Sequence, residues 1–393
     1  MLPRLTIAPL PPECFADAAA GPSAAVWAGR ARRALLQEGR LEALVLAGQR
    51  LNRPKVAQAA WYVLSSARTL GPEGLNRADV GVWIQVALHL LDPATPDARH
   101  AHILASLGSG QRGSPDDSLA QEARAIANGT GRRSPSVDID SMVARARVPG
   151  LEHTACIDAA ALPACETNLA QAQRALVSAL PWARSELDRL VQRIVPVVAE
   201  RGRLVSATNS ELLGAVFVTM HDDPLLVGEQ LVHELSHTRL FCVQMLDDLL
   251  LEATPNDSWT DARYYSPWRR DPRPLNGVLH GVFVFGAVAE YWRCHLERSE
   301  TARRRFGLVV GQLLAAHDAL TRHARFTDAG HALRLALQAR MVETFYPVFA
   351  TERLDHVHAL DIEAIESREE IPVVSYLAAH HQRWSQENVH VCD

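Results

Sequence analysis

The sequence lacks a long apolar run, a surplus of one charge and any close pair of cysteines. No segment approaches the roughly 20 apolar residues needed to cross a bilayer, so no membrane-spanning role is expected. The net charge of −5, from 40 basic and 45 acidic residues, provides no field to attract nucleic acid or an anionic membrane. The six cysteines (Cys14, Cys156, Cys165, Cys242, Cys294 and Cys392) are scattered without a CxxC pair, which argues against a zinc ribbon or a disulfide framework. Pro9, Pro11 and Pro12 interrupt the N-terminus, which has no continuous apolar core of a signal peptide. Together these absences predict a cytoplasmic protein with reduced thiols. No internal repeat is visible, and nothing in the sequence fixes an oligomeric state.

What is present is ordinary globular material: 393 residues, 48% hydrophobic and 22% charged, enough for one to three domains. The apolar spacing predicts helices over 24–47, 58–70 and 80–91, and a second helical run over 169–200. The Gly/Ser/Asp/Arg-rich stretch 108–135 reads as an exposed connection around one short helix. A strand region over 204–220 precedes a helix reaching to about 251, and 252–274 reads as a structured loop. Helices over 275–298, 301–323 and 328–346 follow. The expected fold is mainly α with a small β element. The expected organisation is a helical N-terminal region suited to substrate docking (1–165), an HExxH metal-binding catalytic helical domain (166–350) and a C-terminal arm (351–393).

His233-Glu234-Leu235-Ser236-His237 carries the chemistry. Two histidines four apart on a helix differ by about 40° around its axis, so both imidazoles leave one face. That spacing suits one divalent metal bound by two nitrogens, with a glutamate beside it. The context agrees. Asp222-Asp223-Pro224 reads as a helix start, with an aspartate N-cap and proline in the first turn. Gly214 to Met220 reads as a short buried strand leading into it. The competing reading is two core histidines satisfied by hydrogen bonds near a salt-bridged Glu234.

A catalytic metal needs a third protein ligand. The pattern of zinc proteases with a third histidine six residues past the second is excluded, because Leu240 and Val243 stand there. Two candidates remain on the helix over 275–298: Glu290, with Glu252 as a weaker carboxylate, and His280, flanked by Gly277 and Gly281. His280 and Glu290 lie about 80° apart around a helix, so they are alternatives rather than partners. Just before them, Tyr264 to Pro274 packs three arginines and three aromatics into eleven residues. Guanidinium groups grip carboxylates in bidentate fashion, and the place of this loop directly before the candidate third ligand favours one of its arginines as the holder of an acid beside the metal; a solvated or salt-bridged loop is the plainer reading.

These residues together resemble the HExxH-type proteins that modify ribosomally made peptides, described as α-ketoglutarate-dependent HExxH peptide β-hydroxylases. The resemblance rests on Gly214-Ala215-Val216-Phe217-Val218, Leu231 to His237, Ser266-Pro267-Trp268-Arg269, Arg273-Pro274-Leu275 and Gly277-Val278-Leu279-His280-Gly281, and covers roughly residues 200–295. It implies Fe(II) held by His233, His237 and His280, with 2-oxoglutarate and O2 as cosubstrates and a precursor peptide as substrate. Arg273 or Arg269 would hold the distal carboxylate of 2-oxoglutarate, and Glu234 would orient a ligand or an iron-bound water. The usual iron set of two histidines and one carboxylate differs from a three-histidine site.

Two other readings stand beside it. In a zinc peptidase of gluzincin type, Glu234 would be the general base and Glu290 the third ligand. In a non-enzymatic docking protein, the helical N-terminal half would bind a partner and the metal motif would be vestigial.

Overall fold

The computed structural model describes residues 10–91, 115–128, 135–139, 141–145, 157–198, 204–251, 264–351, 356–358 and 370–388. Its helices begin with α1 (Pro12–Asp17), α2 (Ala24–Arg50), α3 (Pro54–Thr69), α4 (Pro72–Leu75), α5 (Ala78–Leu91) and α6 (Pro115–Asn128). Then come β1 (Ser136–Val137), α7 (Met142–Arg145), α8 (Leu162–Ala179), α9 (Ala183–Leu190), β2 (Arg193–Val197), β3 (Ser206–Ala207) and β4 (Ala215–Thr219). The rest comprises α10 (Pro224–Gln244), α11 (Leu275–Arg293), α12 (Glu300–His323), α13 (Asp328–Arg340), α14 (Tyr346–Thr351), β5 (His356–His358), β6 (Glu370–Pro372) and α15 (Val373–Glu387). The fold is therefore mainly helical with a small sheet, as the apolar spacing predicts. Among the described residues no helix is long and apolar enough to cross a membrane.

The chain divides into two compact units, and neither is a continuous stretch. The first comprises Met1–Val26, Ser178–Pro181 and Leu246–Asp393; the second comprises Trp27–Val177 and Trp182–Met245. The boundaries expected near 165 and 350 fall inside α8 and α14.

The second unit is built on a sheet in the order β1-β2-β4-β3, parallel except for the β3–β4 pair. Val195, Val197, Ala215 and Phe217 on one face share a core with Leu41, Leu44, Val63, Trp83, Leu119 and Val143 from the preceding helices. Ile194, Val216 and Val218 on the other face are buried as well. Strands buried on both faces read as continuous apolar runs rather than alternating ones. For that reason the apolar spacing predicts one helical run through 169–200 where the structure breaks it. Residues 193–197 (Arg-Ile-Val-Pro-Val) are the central strand β2, and the helical run breaks at Pro181 and Val191. Pro196 is tolerated there because β1 pairs only with Arg193 and Ile194, so no neighbour asks Pro196 for an N–H. Gly214, with φ at +101°, turns the chain into β4 in a conformation that side chains disfavour, and its carbonyl accepts from Gln192 and Arg193.

In the first unit α11 packs along α12, α13 packs on α1 and α11, and a π turn at Met341–Phe345 joins α13 to α14. The C-terminal stretch, expected as an arm, contributes an antiparallel β5–β6 pair and α15, both packed on α12. The expected connection 108–135 and loop 252–274 lie partly outside the described residues, as do Glu252, Cys156 and Cys392.

Candidate metal centre

Helix α10 carries the motif. It starts as its sequence predicts: Asp223 Oδ1 accepts from the Leu225 amide at 2.8 Å, and Pro224 occupies the first turn. It ends at Gln244, short of the expected 251, because Leu249 adopts a left-handed backbone with φ of 66° and Leu250 bridges to Phe326. His233 and His237 stand one turn apart with ring centroids 4.9 Å apart and planes at 66°. Both are partly buried, whereas Glu234 between them is buried almost completely, at 1% exposure. Its Oε1 lies 3.9 Å from His233 Nε2. Its Oε2 has no hydrogen-bond partner among the described residues. Burial pushes the Glu234 carboxyl up to about 8, against a hydrogen bond with Ser206 that pulls it down.

Two features that the sequence reading passed over hold this helix in place. Gln230, one turn before His233, clamps the end of β4: its Oε1 accepts from the Thr219 amide at 2.9 Å, and its Nε2 donates to the Thr219 carbonyl at 2.8 Å. Arg239, two residues past His237, touches Glu186 of α9 at 2.7 Å with both side chains fully buried. The Arg239 guanidinium also lies 4.4 Å over the Trp182 ring. Burial raises the Glu186 carboxyl while Arg239 beside it pulls the other way. The available signal was a Gln and an Arg placed in an otherwise apolar stretch of helix. Neither names its partner, which lies 11 residues away for Gln230 and 53 away for Arg239.

The other predicted residues belong to the first unit. The segment before α11 is pinned at several points. Tyr264 and Arg273 exchange backbone hydrogen bonds at 2.7 and 3.0 Å, and Gln312 Nε2 donates to the Pro267 carbonyl at 3.1 Å. Trp268 stacks on Phe285 at 4.6 Å with nearly parallel planes. It also lies flat on Gly281, where any Cβ would overlap its indole. Gly281 thus admits an aromatic side chain where any other residue would collide with it. Arg273 and Arg269 both face Asp271, at 2.9 and 3.4 Å; Arg273 is 30% exposed and Arg269 57%. His280 is partly buried near the start of α11, and burial holds its pKa down to about 4, so the imidazole is neutral at pH 7. Neutral imidazole is the form that ligates a metal. Glu290, nearly three turns on, is engaged elsewhere. Arg293 donates to its two oxygens at 2.7 and 2.9 Å, and Arg340 lies 3.8 Å away. Burial alone would raise this carboxyl, but the Arg293 hydrogen bonds and the two cationic charges outweigh it and leave the pKa below the usual range.

The second unit therefore brings His233, Glu234 and His237 together. The first unit brings the arginine segment against the start of α11 and ties Glu290 to two arginines. Among the described residues no group of three or more His, Cys, Asp and Glu side chains is disposed to hold a metal. What fits a divalent ion is the pair of adjacent imidazoles with an unsatisfied buried carboxylate oxygen at their side. Comparison with protein-family models gives no match, and comparison with curated protein sequences gives none either.

Proposed function

We propose that this chain is a cytoplasmic Fe(II)- and 2-oxoglutarate-dependent dioxygenase that hydroxylates the β-carbon of a side chain in a ribosomally synthesised precursor peptide. The observation that carries the metal reading is the His233–His237 pair on one helix face beside the buried Glu234. The choice of His280 over Glu290 as third ligand is supported by the neutral imidazole of His280 and by the two arginines that hold Glu290. The free thiols of Cys14, Cys165, Cys242 and Cys294 accord with a reducing compartment.

When bound, iron and 2-oxoglutarate supply the chemistry: one atom of O2 enters a β C–H bond, and 2-oxoglutarate leaves as succinate and CO2. The residues have distinct tasks. His233, His237 and His280 hold the metal. Glu234 orients a ligand through its unsatisfied oxygen, rather than serving as the base of a peptidase. Arg273 grips the distal carboxylate of 2-oxoglutarate. It suits this better than Arg269, because it is less exposed and its backbone is paired to Tyr264. The gluzincin alternative with zinc requires Glu290 to leave Arg293.

Anaerobic addition of Fe(II) and 2-oxoglutarate gives a weak visible charge-transfer band that His280→Ala abolishes. Co-expression with peptides encoded beside the gene gives products heavier by one oxygen, read by mass spectrometry. Absence of the band together with cleaved peptide would establish the peptidase instead, and unchanged peptide with no band would leave a docking protein.

A further inference from the structure

Helix α2 turns one face into the core of the second unit and leaves the other exposed. The inward face carries Arg33, Ala34, Gln37, Leu41 and Leu44, all buried. The outward face carries Leu35, Leu36 and Leu46, exposed at 36, 48 and 55%, around Gly39 and Ala43. Arg32, Arg40 and Arg50 border this apolar strip and form no ion pair among the described residues. The only acids of α2, Glu38 and Glu42, are both held by Arg68 of α3. Glu38 and Glu42 share the single charge of Arg68, so the border keeps a net positive charge over the 19 residues from Arg32 to Arg50, roughly 27 Å of helix.

Gly39 sharpens the point. Glycine in mid-helix destabilises the helix relative to alanine, and is normally kept where something packs close to it. Gly29 and Gly48 of the same helix meet that description: a Cβ there would overlap the backbone of Cys242 and of Ala57. A Cβ at Gly39 would meet nothing within 4 Å. Nothing among the described residues packs against this glycine. With Ala43 one turn on, it forms a low saddle between Leu36 and Leu46, the relief a second helix needs to approach closely.

We infer that the outward face of α2 docks an acidic amphipathic helix of a partner polypeptide, with its apolar side on the Gly39–Ala43 saddle and its carboxylates on Arg32, Arg40 and Arg50. The charge complementarity favours an acid: Arg32, Arg40 and Arg50 outweigh the one carboxylate charge that Arg68 leaves uncompensated on Glu38 and Glu42. A membrane is disfavoured, because the chain carries a net charge of −5 and the strip offers leucines beside a depression rather than a projecting aromatic wedge. If the oxidative reading above holds, the partner is the peptide substrate, engaged by a segment distant from the modified side chain; that identification rests on that reading, and the docking does not.

The test is fluorescence anisotropy of the metal-free full chain with a labelled 20-residue model helix bearing leucine on one face and glutamate along its borders. Binding weakens with salt, falls about tenfold or more in the triple variant Arg32→Glu, Arg40→Glu, Arg50→Glu, and falls similarly in Gly39→Gln. Gly39→Ala binds within a few-fold of wild type. Both Gly39 variants melt no lower than wild type, so their binding reports docking and not misfolding. The inference is overturned by absence of binding up to about 1 mM. It is equally overturned by equal binding of a lysine-for-glutamate peptide, by Gly39→Gln leaving affinity unchanged, or by flotation with phosphatidylglycerol vesicles that displaces the peptide. The assay contains neither iron nor 2-oxoglutarate, so its failure leaves the metal reading intact, and the converse.

Discussion

Glu290 and His280 are ten residues apart on one helix, yet their surroundings set them to different work. Spacing in the sequence offers both as ligands and shows only that they face different directions. What separates them is the company each keeps. Arg293 was legible at i+3, but Arg340 arrives from another helix 50 residues later, and no local pattern announces it. The pair of arginines makes a prediction. Glu290→Gln leaves metal affinity unchanged, measured by anaerobic titration, and destabilises the protein at pH 7 by about 1–2 kcal/mol in urea unfolding. The sign with pH follows from the depressed pKa of Glu290. Its contribution is complete above the ordinary carboxylate pKa and is lost as pH falls through the lower folded value. The difference between wild type and Glu290→Gln therefore shrinks on the acid side. A loss of metal affinity in this variant would restore the gluzincin reading. At the same scale Glu234 was legible as the partner of two histidines, but its burial was not, because the i+1 position of the motif says nothing about what covers it.

At the level of elements, α10 shows what periodicity can and cannot supply. Its start, its helicity and the shared face of its histidines follow from Asp223, Pro224 and the four-residue spacing. Its fixation does not, since it depends on Thr219 at the end of β4 and on Glu186 in α9. Strand β2 failed for a related reason: an apolar run buried on both faces has no alternation to distinguish it from a buried helix, and only its β-branched residues and Pro196 argued otherwise. The buried Glu186–Arg239 contact gives the sharpest test at this scale. Removing one partner leaves a charge stranded in the core, so Arg239→Met destabilises by about 3–5 kcal/mol, measured by chemical denaturation. Adding Glu186→Leu to it recovers most of the loss, because packed apolar side chains replace such pairs at little cost. Failure of the double variant to recover would mean that the Trp182 stacking, and not the ion pair, fixes the helix.

Over the whole molecule the sequence suggested a separable N-terminal half, and the contacts divide the chain differently. Helices α2, α3, α5 and α6 share one core with the sheet on which α10 rests, through Val195, Val197, Ala215 and Phe217. Helical propensity could show that these helices exist, but not that their apolar faces meet strands roughly 70 or more residues later. A fragment of residues 166–393 would therefore leave one face of that sheet bare and cut the core that supports the histidine helix. Expressed alone, it is expected to aggregate or to lack a cooperative unfolding transition, read by size-exclusion chromatography and circular dichroism. A soluble, cooperatively melting fragment would show instead that the first 165 residues are an appendage.

The packing of α1 on α13 has a consequence in time. Phe15 is buried and the Arg340 side chain donates to the Ala19 carbonyl, so the segment that carries α1 waits during synthesis for one made more than 300 residues later. At about 5–20 residues per second the delay is roughly 15–60 s. Residues 27–245 can close their own core during that interval, while α1 stays uncovered and open to chaperones until α13 has been made.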